Sequence, residues 1–592
     1  MGSHARYSRR LGVFALMLVV IVAALGFRLF DFQVVRAQEI QEKSLERRQT
    51  TQTLTALRGD IVDSQGQILA RTVFRYDVNA APKNVGPVRT RVNGEIIERS
   101  VNEIALELAP LLGLDLDVLL QRLDGDSEYV NLAKKLDAEA YNKIRDLEIP
   151  WIYFDRFADR LYPNGAVAGN LIGFVGSDGT PLAGLELQYN SCLAGVDGQE
   201  TFERSAEGIR IPTSNIVTQP TQDGGTLNLT IDSNLQFFAQ QVLADTVNDL
   251  NAEWASAIVV EVETGKILAA AEAPSVDPNE PQASDAKDRG SRIFQTSFEP
   301  GSTMKAISTA IVLDTGTADE YDTVQAPDRM ELGFNNEYIK DSFDHEVYTL
   351  SLAGVLRYSS NTGITNFARD IDKQLRGEYL RKFGFGAPSA LRFEGESSGI
   401  LGDPADWDRR TAINNLFGQG IAVTSVQMAY AYQAMANGGV RLDPILVESC
   451  VGKDGEVLYQ PTQNGTRVLS EQSANLNLEL MEKVVEFGGV GRTAAVPGYR
   501  VGGKTGTAEI GENGVYIDQF AISFYGVAPI ENPKFVVGVT IFKPVGVSNS
   551  SRATPPFRAI MAQALKHYRV PPSTTESRDI PSDRYGNVDE ND

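Results

Sequence analysis

At 592 residues the chain has room for two or three domains, and 42% hydrophobic with 22% charged residues is an ordinary globular balance. A net charge of −22 with no basic face excludes nucleic-acid binding. Two distant cysteines, Cys192 and Cys450, and three histidines form no Cys/His cluster, which argues against a zinc site or any other metal centre. The two thiols read as separately buried, with a disulfide outside the cytoplasm as the alternative.

In chain order, Arg6, Arg9 and Arg10 precede a charge-free run over residues 11–27, followed by Arg28. With Arg28 snorkelling, about 20 residues can cross a bilayer. The basic residues in front place residues 1–10 in the cytoplasm and the bulk of the chain outside. The run is long for a signal peptide, so an uncleaved anchor over 11–30 is expected, with cleavage near Ala23-Ala24 as the alternative. Polar residues then read as a stalk. From Arg58 to about Gly225 come short strands, Gly turns and an amphipathic stretch over 101–149, with no nucleophile beside a base. Residues 31–225 are expected to be stalk and pedestal.

At Gly224-Gly225 the pattern changes. Residues 227–231 alternate as a strand, and Asp232 caps a helical segment over 233–250. Residues 255–262 and 267–273 read as strands joined by Glu263-Thr264-Gly265-Lys266. Helical patterns follow over 304–313, over 423–436 (ended by Asn437-Gly438-Gly439) and over 555–568. Residues 501–509, 519–527 and 535–542 read as strands. Strands at both ends with helices between predict one α+β domain over 226–570 whose sheet joins early and late segments. Residues 571–592 are polar and acidic, and are expected to be disordered.

Three strings carry the chemistry: Ser302-Thr303-Met304-Lys305, Ser359-Ser360-Asn361 and Lys504-Thr505-Gly506-Thr507. They read as Ser-x-x-Lys, Ser-x-Asn and Lys-Thr-Gly, the set of an acyl-transferring serine enzyme with a lysine base. Pro300-Gly301 ahead of an apolar run marks a helix start, so Ser302 should lie in the first turn with Lys305 on the same face. The helix N-terminus favours negative charge at Ser302. A serine hydroxyl is weak until a neighbour takes its proton. Lys305 can do so only if burial and nearby cations depress its pKa.

Ser-x-x-Lys and Ser-x-Asn each have spare copies in the chain, whereas Lys-Thr-Gly occurs once. Ser284-Asp285-Ala286-Lys287 lies in a Pro/Asp-rich stretch that reads as loop. Ser100-Val101-Asn102 precedes the nucleophile, and Ser473-Ala474-Asn475 reads as a helix cap. Gly395-Glu396-Ser397-Ser398-Gly399 matches a nucleophile elbow, but His4 and His345 are upstream and His567 sits by the tail. A Gly/Ser loop is the better reading there.

The order and contexts of the three strings resemble a class B penicillin-binding protein, a monofunctional D,D-transpeptidase of peptidoglycan. The resemblance extends over nearly the whole chain after the anchor. Arg58-Gly59-Asp60-Ile61-Val62-Asp63-Ser64-Gln65-Gly66 with Leu69-Ala70 is similar to the first pedestal motif of that family. Arg160-Leu161-Tyr162-Pro163-Asn164-Gly165 is similar to the second, and Gly184-Leu185-Glu186 with Tyr189-Asn190 to the third. Phe298-Glu299-Pro300-Gly301-Ser302 and Gly418-Gln419-Gly420 resemble the transpeptidase domain. Where the second motif usually continues to a histidine, this chain has Gly169-Asn170. Within the class the chain resembles most the septal, FtsI-type division enzymes.

The resemblance implies a fold: an antiparallel sheet flanked by helices, on a mixed α/β pedestal, behind one transmembrane helix. It also implies roles. Ser302 is the nucleophile, Lys305 the base in acylation, Ser359 a proton relay, and Asn361 a hydrogen-bonding partner of substrate or Lys305. Lys504 supplies positive potential. Thr505 and Thr507, with Gly506 between them, bind the substrate carboxylate, and the backbone N–H groups of Ser302 and Thr507 form the oxyanion hole. No cofactor is implied. Expected partners are peptidoglycan stem peptides on lipid-linked precursor and nascent glycan strand, β-lactams, an FtsW-like SEDS-type glycosyltransferase and other divisome membrane proteins. An elongation enzyme of the same class, or a non-catalytic divisome scaffold, is the alternative. Single pedestal residues such as Arg160 and Glu186 read first as structural support and second as partner contacts.

Overall fold

The computed structural model describes residues 4–92, 95–203, 216–334, 337–512 and 515–583. Met1–Leu57 with Gly195–Gly224 form one compact unit, and Arg58–Ala194 with Gly225–Asp592 form another.

In the first unit, helix His4–Phe30 carries apolar residues on every side. The segment Tyr7–Val35 is long and apolar enough to cross a membrane, and its most apolar stretch packs against no protein. The expected stalk is a helix, Ala37–Arg48, followed by strand Gln49–Leu54. That strand pairs antiparallel with Gly198–Glu203, which pairs in turn with Ile216–Gln219.

In the second unit a five-stranded antiparallel sheet runs in the order Ile267–Ala273, Trp254–Glu261, Phe535–Phe542, Val515–Ala528, Gly502–Glu512. Early and late strands therefore pair, as the sequence pattern predicts. Successive strand residues point to opposite faces. Ala255, Ala257 and Val259 pack with Leu235, Leu243, Ile560 and Leu565 of the helices Ser233–Leu250 and Thr554–His567. Ile258 and Val260 face the other way, into the core that holds Met304, Val426 and Tyr432. Both faces are covered, which is why these strands read as continuous apolar runs. Helix Ser425–Ala436 is buried at every residue, and a Thr424/Gln427 capping box starts it.

The pedestal sheet crosses residue 225. Strand Thr226–Leu229 runs parallel to Ile61–Val62 on one side and antiparallel to Val447–Val451 on the other. Ile61–Val62 continues the sheet to Ile68–Ala80, which pairs with Val130–Leu136 and Ile152–Leu161. The three pedestal motifs meet at Glu186, which is fully buried. Arg58 Nε donates to its Oε2 at 2.6 Å and Arg160 Nε to its Oε1 at 2.8 Å. Arg160 also donates to the Gly59 carbonyl and Arg58 to Asn190 Oδ1. These residues are internal bolts of the pedestal, not surface contacts. Asn170, in the place of the family's histidine, donates to the carbonyls of Asp288 and Gly290 and accepts from the Val276 N–H.

Two expectations are corrected. Cys192 and Cys450 form a disulfide, with Cα atoms 6.3 Å apart. The pairing of Leu227 with Cys450, and the bond from Gly225 N–H to the Cys192 carbonyl, bring the two together, a proximity that sequence distance hides. Residues 571–583 are not disordered. Arg578 pairs with Glu320 and Glu479, Ser351 Oγ donates to the Pro581 carbonyl at 2.6 Å, and Ile580 is buried. Polar groups with fixed partners hold this strap, and composition alone does not register them. Residues 584–592 lie outside the described residues.

Candidate active site

Ser302 sits in a tight turn, Gly301–Thr303, that feeds helix Met304–Asp314, so it stands just ahead of the α-helix rather than within its first turn. The turn is gripped by backbone. Gly301 has φ +53°, and a Cβ there would lie 2.3 Å from the Thr507 carbonyl oxygen. A Cβ on Gly506 would meet the Pro300 carbonyl at 2.8 Å, and one on Gly418 the Gly301 carbonyl at 2.1 Å. Glycine at 301, 418 and 506 thus lets strand Gly502–Glu512 and the 418–420 loop close on the Ser302 turn. That strand ends the sheet order, so its outer edge is free to face the turn among the described residues.

Lys305 is fully buried, with Nζ 3.0 Å from Ser302 Oγ and 3.2 Å from Ser359 Oγ, and it donates to the Ser359 carbonyl. Lys504, also fully buried, places Nζ 3.0 Å from the same Ser359 Oγ and 3.2 Å from Thr505 Oγ1. Ser302, Lys305, Ser359 and Lys504 therefore form one hydrogen-bonded chain. Ser359 is held in the left-handed region, φ +61°, where helix Leu352–Tyr358 ends. That conformation costs a residue with a Cβ about 1–2 kcal/mol. It turns both the carbonyl and the hydroxyl of Ser359 toward the lysines.

Burial pulls the Lys305 ammonium down to about 7, a nearby Asp341 opposing it. Lys504 is held well below its ordinary value, first by burial and then by the Lys305 charge. Two ammonium groups on one hydroxyl in a dry site repel each other, so the pair favours giving up a proton. A neutral Lys305 can take the Ser302 proton at neutral pH.

Asn361 starts helix Asn361–Ala368, and its Nδ2 donates to the Lys340 carbonyl at 2.8 Å. Its side chain is thereby positioned beside the site rather than on Lys305. Thr507 Oγ1 donates to the Ser548 carbonyl at 3.3 Å and stays part-exposed on the strand that faces Ser302. The decoys fall away. Ser284 follows a short 3-10 turn and Lys287 pairs with Glu253. Ser397 Oγ accepts from the Gly399 N–H, within a loop. His345 and His567 lie against Asp341 and Asp232.

Sequence reasoning missed Asp341 and Tyr432. Asp341 accepts from the N–H groups of Asn361 and Thr362, capping the helix behind Ser359. Tyr432 O–H donates to the Thr303 carbonyl at 3.0 Å. Asp341 lies in no motif. Tyr432 had only its place in an apolar helix.

Fold and site together define a penicillin-binding transpeptidase, and the comparisons agree. The family model of the penicillin binding protein transpeptidase domain matches residues 255–562, and that of the penicillin-binding protein dimerisation domain matches 53–229. The chain belongs to the class B penicillin-binding proteins, a family of peptidoglycan D,D-transpeptidases. It is 31% identical to penicillin-binding protein PbpB of Mycolicibacterium smegmatis, over 95% of this chain and 91% of the relative. It is 30% identical to peptidoglycan D,D-transpeptidase FtsI of Escherichia coli, over 96% and 93%. Among solved structures, a peptidoglycan synthetase from Bifidobacterium adolescentis aligns with a TM-score of 0.71 at 30% identity, covering 91% of this chain and 100% of that one. Penicillin binding protein 3 from Mycobacterium tuberculosis, complexed with aztreonam, aligns at 0.68 and 27%, covering 88% and 98%.

Proposed function

We propose that the chain is a membrane-anchored D,D-transpeptidase that cross-links peptidoglycan stem peptides through an acyl-enzyme on Ser302, in septal wall synthesis. The observation that carries the chemistry is the unbroken chain from Ser302 Oγ through Lys305 and Ser359 to Lys504. Neutral Lys305 takes the proton from Ser302 Oγ as that oxygen attacks the carbonyl between the two terminal D-alanines. The oxyanion is held by the N–H groups of Ser302 and Thr507, each such donor being worth about 2.7–4 kcal/mol. The C–N bond breaks as the proton passes from Lys305 through Ser359 to the leaving amine, and D-alanine departs. An acceptor amine on a second stem then attacks the ester, its proton returning by the same route, and Ser302 is regenerated. Thr505, Thr507 and the Lys504 charge hold the donor carboxylate, and Asn361 holds the peptide backbone.

In this reading residues 11–30 anchor the chain with the N-terminus inside, residues 31–225 set the height of the catalytic domain, and residues 226–570 do the chemistry. An FtsW-like glycosyltransferase and other divisome membrane proteins fit as partners, because a cross-linker must meet new glycan where it emerges. The FtsI name of a relative supports the septal assignment. Fluorescent-fusion imaging checks it: label concentrated at midcell supports division, and dispersed lateral label overturns that part alone. Labelled penicillin tests the chemistry. Ser302→Ala should abolish covalent labelling, whereas Ser284→Ala and Ser397→Ala should not. An adduct mapped by mass spectrometry to any other serine overturns the assignment.

A further inference from the structure

Helix Ser425–Ala436 presents Tyr432 to the nucleophile turn. Two and six residues earlier, on roughly the opposite side of the helix, Tyr430 and Val426 line a cavity of about 130 Å3 that the chemistry above does not use. Phe383, Pro444, Arg381, Arg441 and Asp443 are among its other lining residues, with the segment 387–390. The Tyr430 O–H is spent on the Gly265 carbonyl and Gln427 Nε2 on the carbonyls of Ala387 and Ser398. Arg441 is different. Its Nε donates to the Lys382 carbonyl at 2.9 Å, and among the described residues no other bond engages its guanidinium. The Arg381 guanidinium has no partner among them either. Burial draws the Arg441 guanidinium below its ordinary value despite Asp443 nearby, as expected of a partly buried cation without a full counter-charge.

We propose that this cavity is a binding site for a small carboxylate-bearing molecule, its carboxylate on the Arg441 guanidinium and its short apolar body between Phe383 and Tyr430. A guanidinium offers paired N–H groups that match a carboxylate in two parallel bonds. A cavity of roughly 150 Å3 holds benzene, so this one takes a molecule of about six heavy atoms. Asp443 adds a place for an ammonium on the same molecule, which favours a free amino acid over a dianion. Such a molecule is the kind of product that cleavage of a peptide terminus releases.

The test is ligand-observed NMR on the full chain in lipid nanodiscs, after benzylpenicillin has covered the Ser302 site. The probes are propionate, D-alanine and D-alaninamide, which lacks the carboxylate. Saturable binding of propionate and D-alanine is expected, with D-alaninamide at least about tenfold weaker, the loss of a paired charge contact. Arg441→Met should weaken both acids by a similar factor while benzylpenicillin acylation stays normal, which shows the variant to be folded. Arg441→Lys should fall between, since it keeps charge without the fork. D-alanine binding more tightly than propionate supports the ammonium place at Asp443. Equal binding of propionate and D-alaninamide, no saturable binding, or acid affinity unchanged in both Arg441 variants overturns the proposal. Intact mass reports the penicillin adduct separately, so a failure of the Ser302 assignment is distinguishable from a failure of this one.

Discussion

Glu186 in the pedestal segment and Lys305 in the transpeptidase segment are both fully buried, and their surroundings are opposite. Glu186 lies between two guanidinium groups, with Tyr162 and Asn190 completing the network. Lys305 lies among hydroxyls and a carbonyl, with a second buried lysine across Ser359 and, among the described residues, no carboxylate within bonding distance. A buried charge with good partners is a fastener: removing one partner strands the others. A buried charge without a paired counter-ion is driven toward its neutral form, and a neutral amine is a base. The same act of burial thus makes one cluster a support and the other a reactive site.

The largest break in that contrast comes from Lys305. Lys305→Arg keeps a cation that stays protonated, so benzylpenicillin acylation should fall by about 10²- to 10⁴-fold. Near-normal acylation in that variant would remove Lys305 as the base. Lys305→Met should be equally inactive yet melt no lower than the parent, because it removes a strained charge and keeps the volume. The linkage has a sign. The folded value near 7 lies below the ordinary lysine value of about 10.4, so between these the unfolded chain binds more protons. Stability of the parent should rise with pH across that window, a contribution absent in Lys305→Met. Melting curves at a series of pH values check both statements.

Next in size is the fastener. Glu186→Ala leaves Arg58 and Arg160 buried without their carboxylate and should cost about 3–5 kcal/mol. The folded fraction should still acylate at the parent rate, since among the described residues no pedestal residue bonds to the Ser302–Lys305–Ser359–Lys504 chain. An unshifted melt with selective loss of wall synthesis in cells would instead make Glu186 a coupling residue, the second reading of the motif.

These two clusters differ in how far the sequence exposes them. Ser302, Lys305, Ser359 and Lys504 are legible because the acyl transfer proposed above needs hydroxyls beside amine bases and three short strings supply them, and the helix and strand around them follow from local pattern. The five-stranded sheet is legible in its alternation of strands and helices. The disulfide is not, since its closeness depends on how Thr226–Leu229 pairs with Val447–Val451. The strap over 571–583 is not, since its polar groups look unpartnered until Glu320, Glu479 and Ser351 are brought to it. The roles of Arg160 and Glu186 are legible only as a choice between two readings, of which the buried ion pair between them favours support.

Asp341 gives the finest adjustment. It lies near Lys305 and raises the value that burial lowers. Its Oδ1 caps the helix behind Ser359 and its Oδ2 meets His345 Nε2 at 3.1 Å. Asp341→Asn keeps the Oδ1 acceptor and so preserves the cap, but removes the negative charge. The parent's acylation rate should rise through a midpoint near pH 7, where Lys305 loses its proton. In Asp341→Asn that midpoint should move down by less than about 1 unit, because burial acts with less opposition. The variant should then acylate faster than the parent just below the parent's midpoint and at the same rate well above it. If Asp341 matters only as a cap, Asp341→Asn, which keeps the cap, should leave both the rate and the midpoint where they were. A pH series of benzylpenicillin acylation rates separates the two, since only loss of the charge displaces the profile along the pH axis.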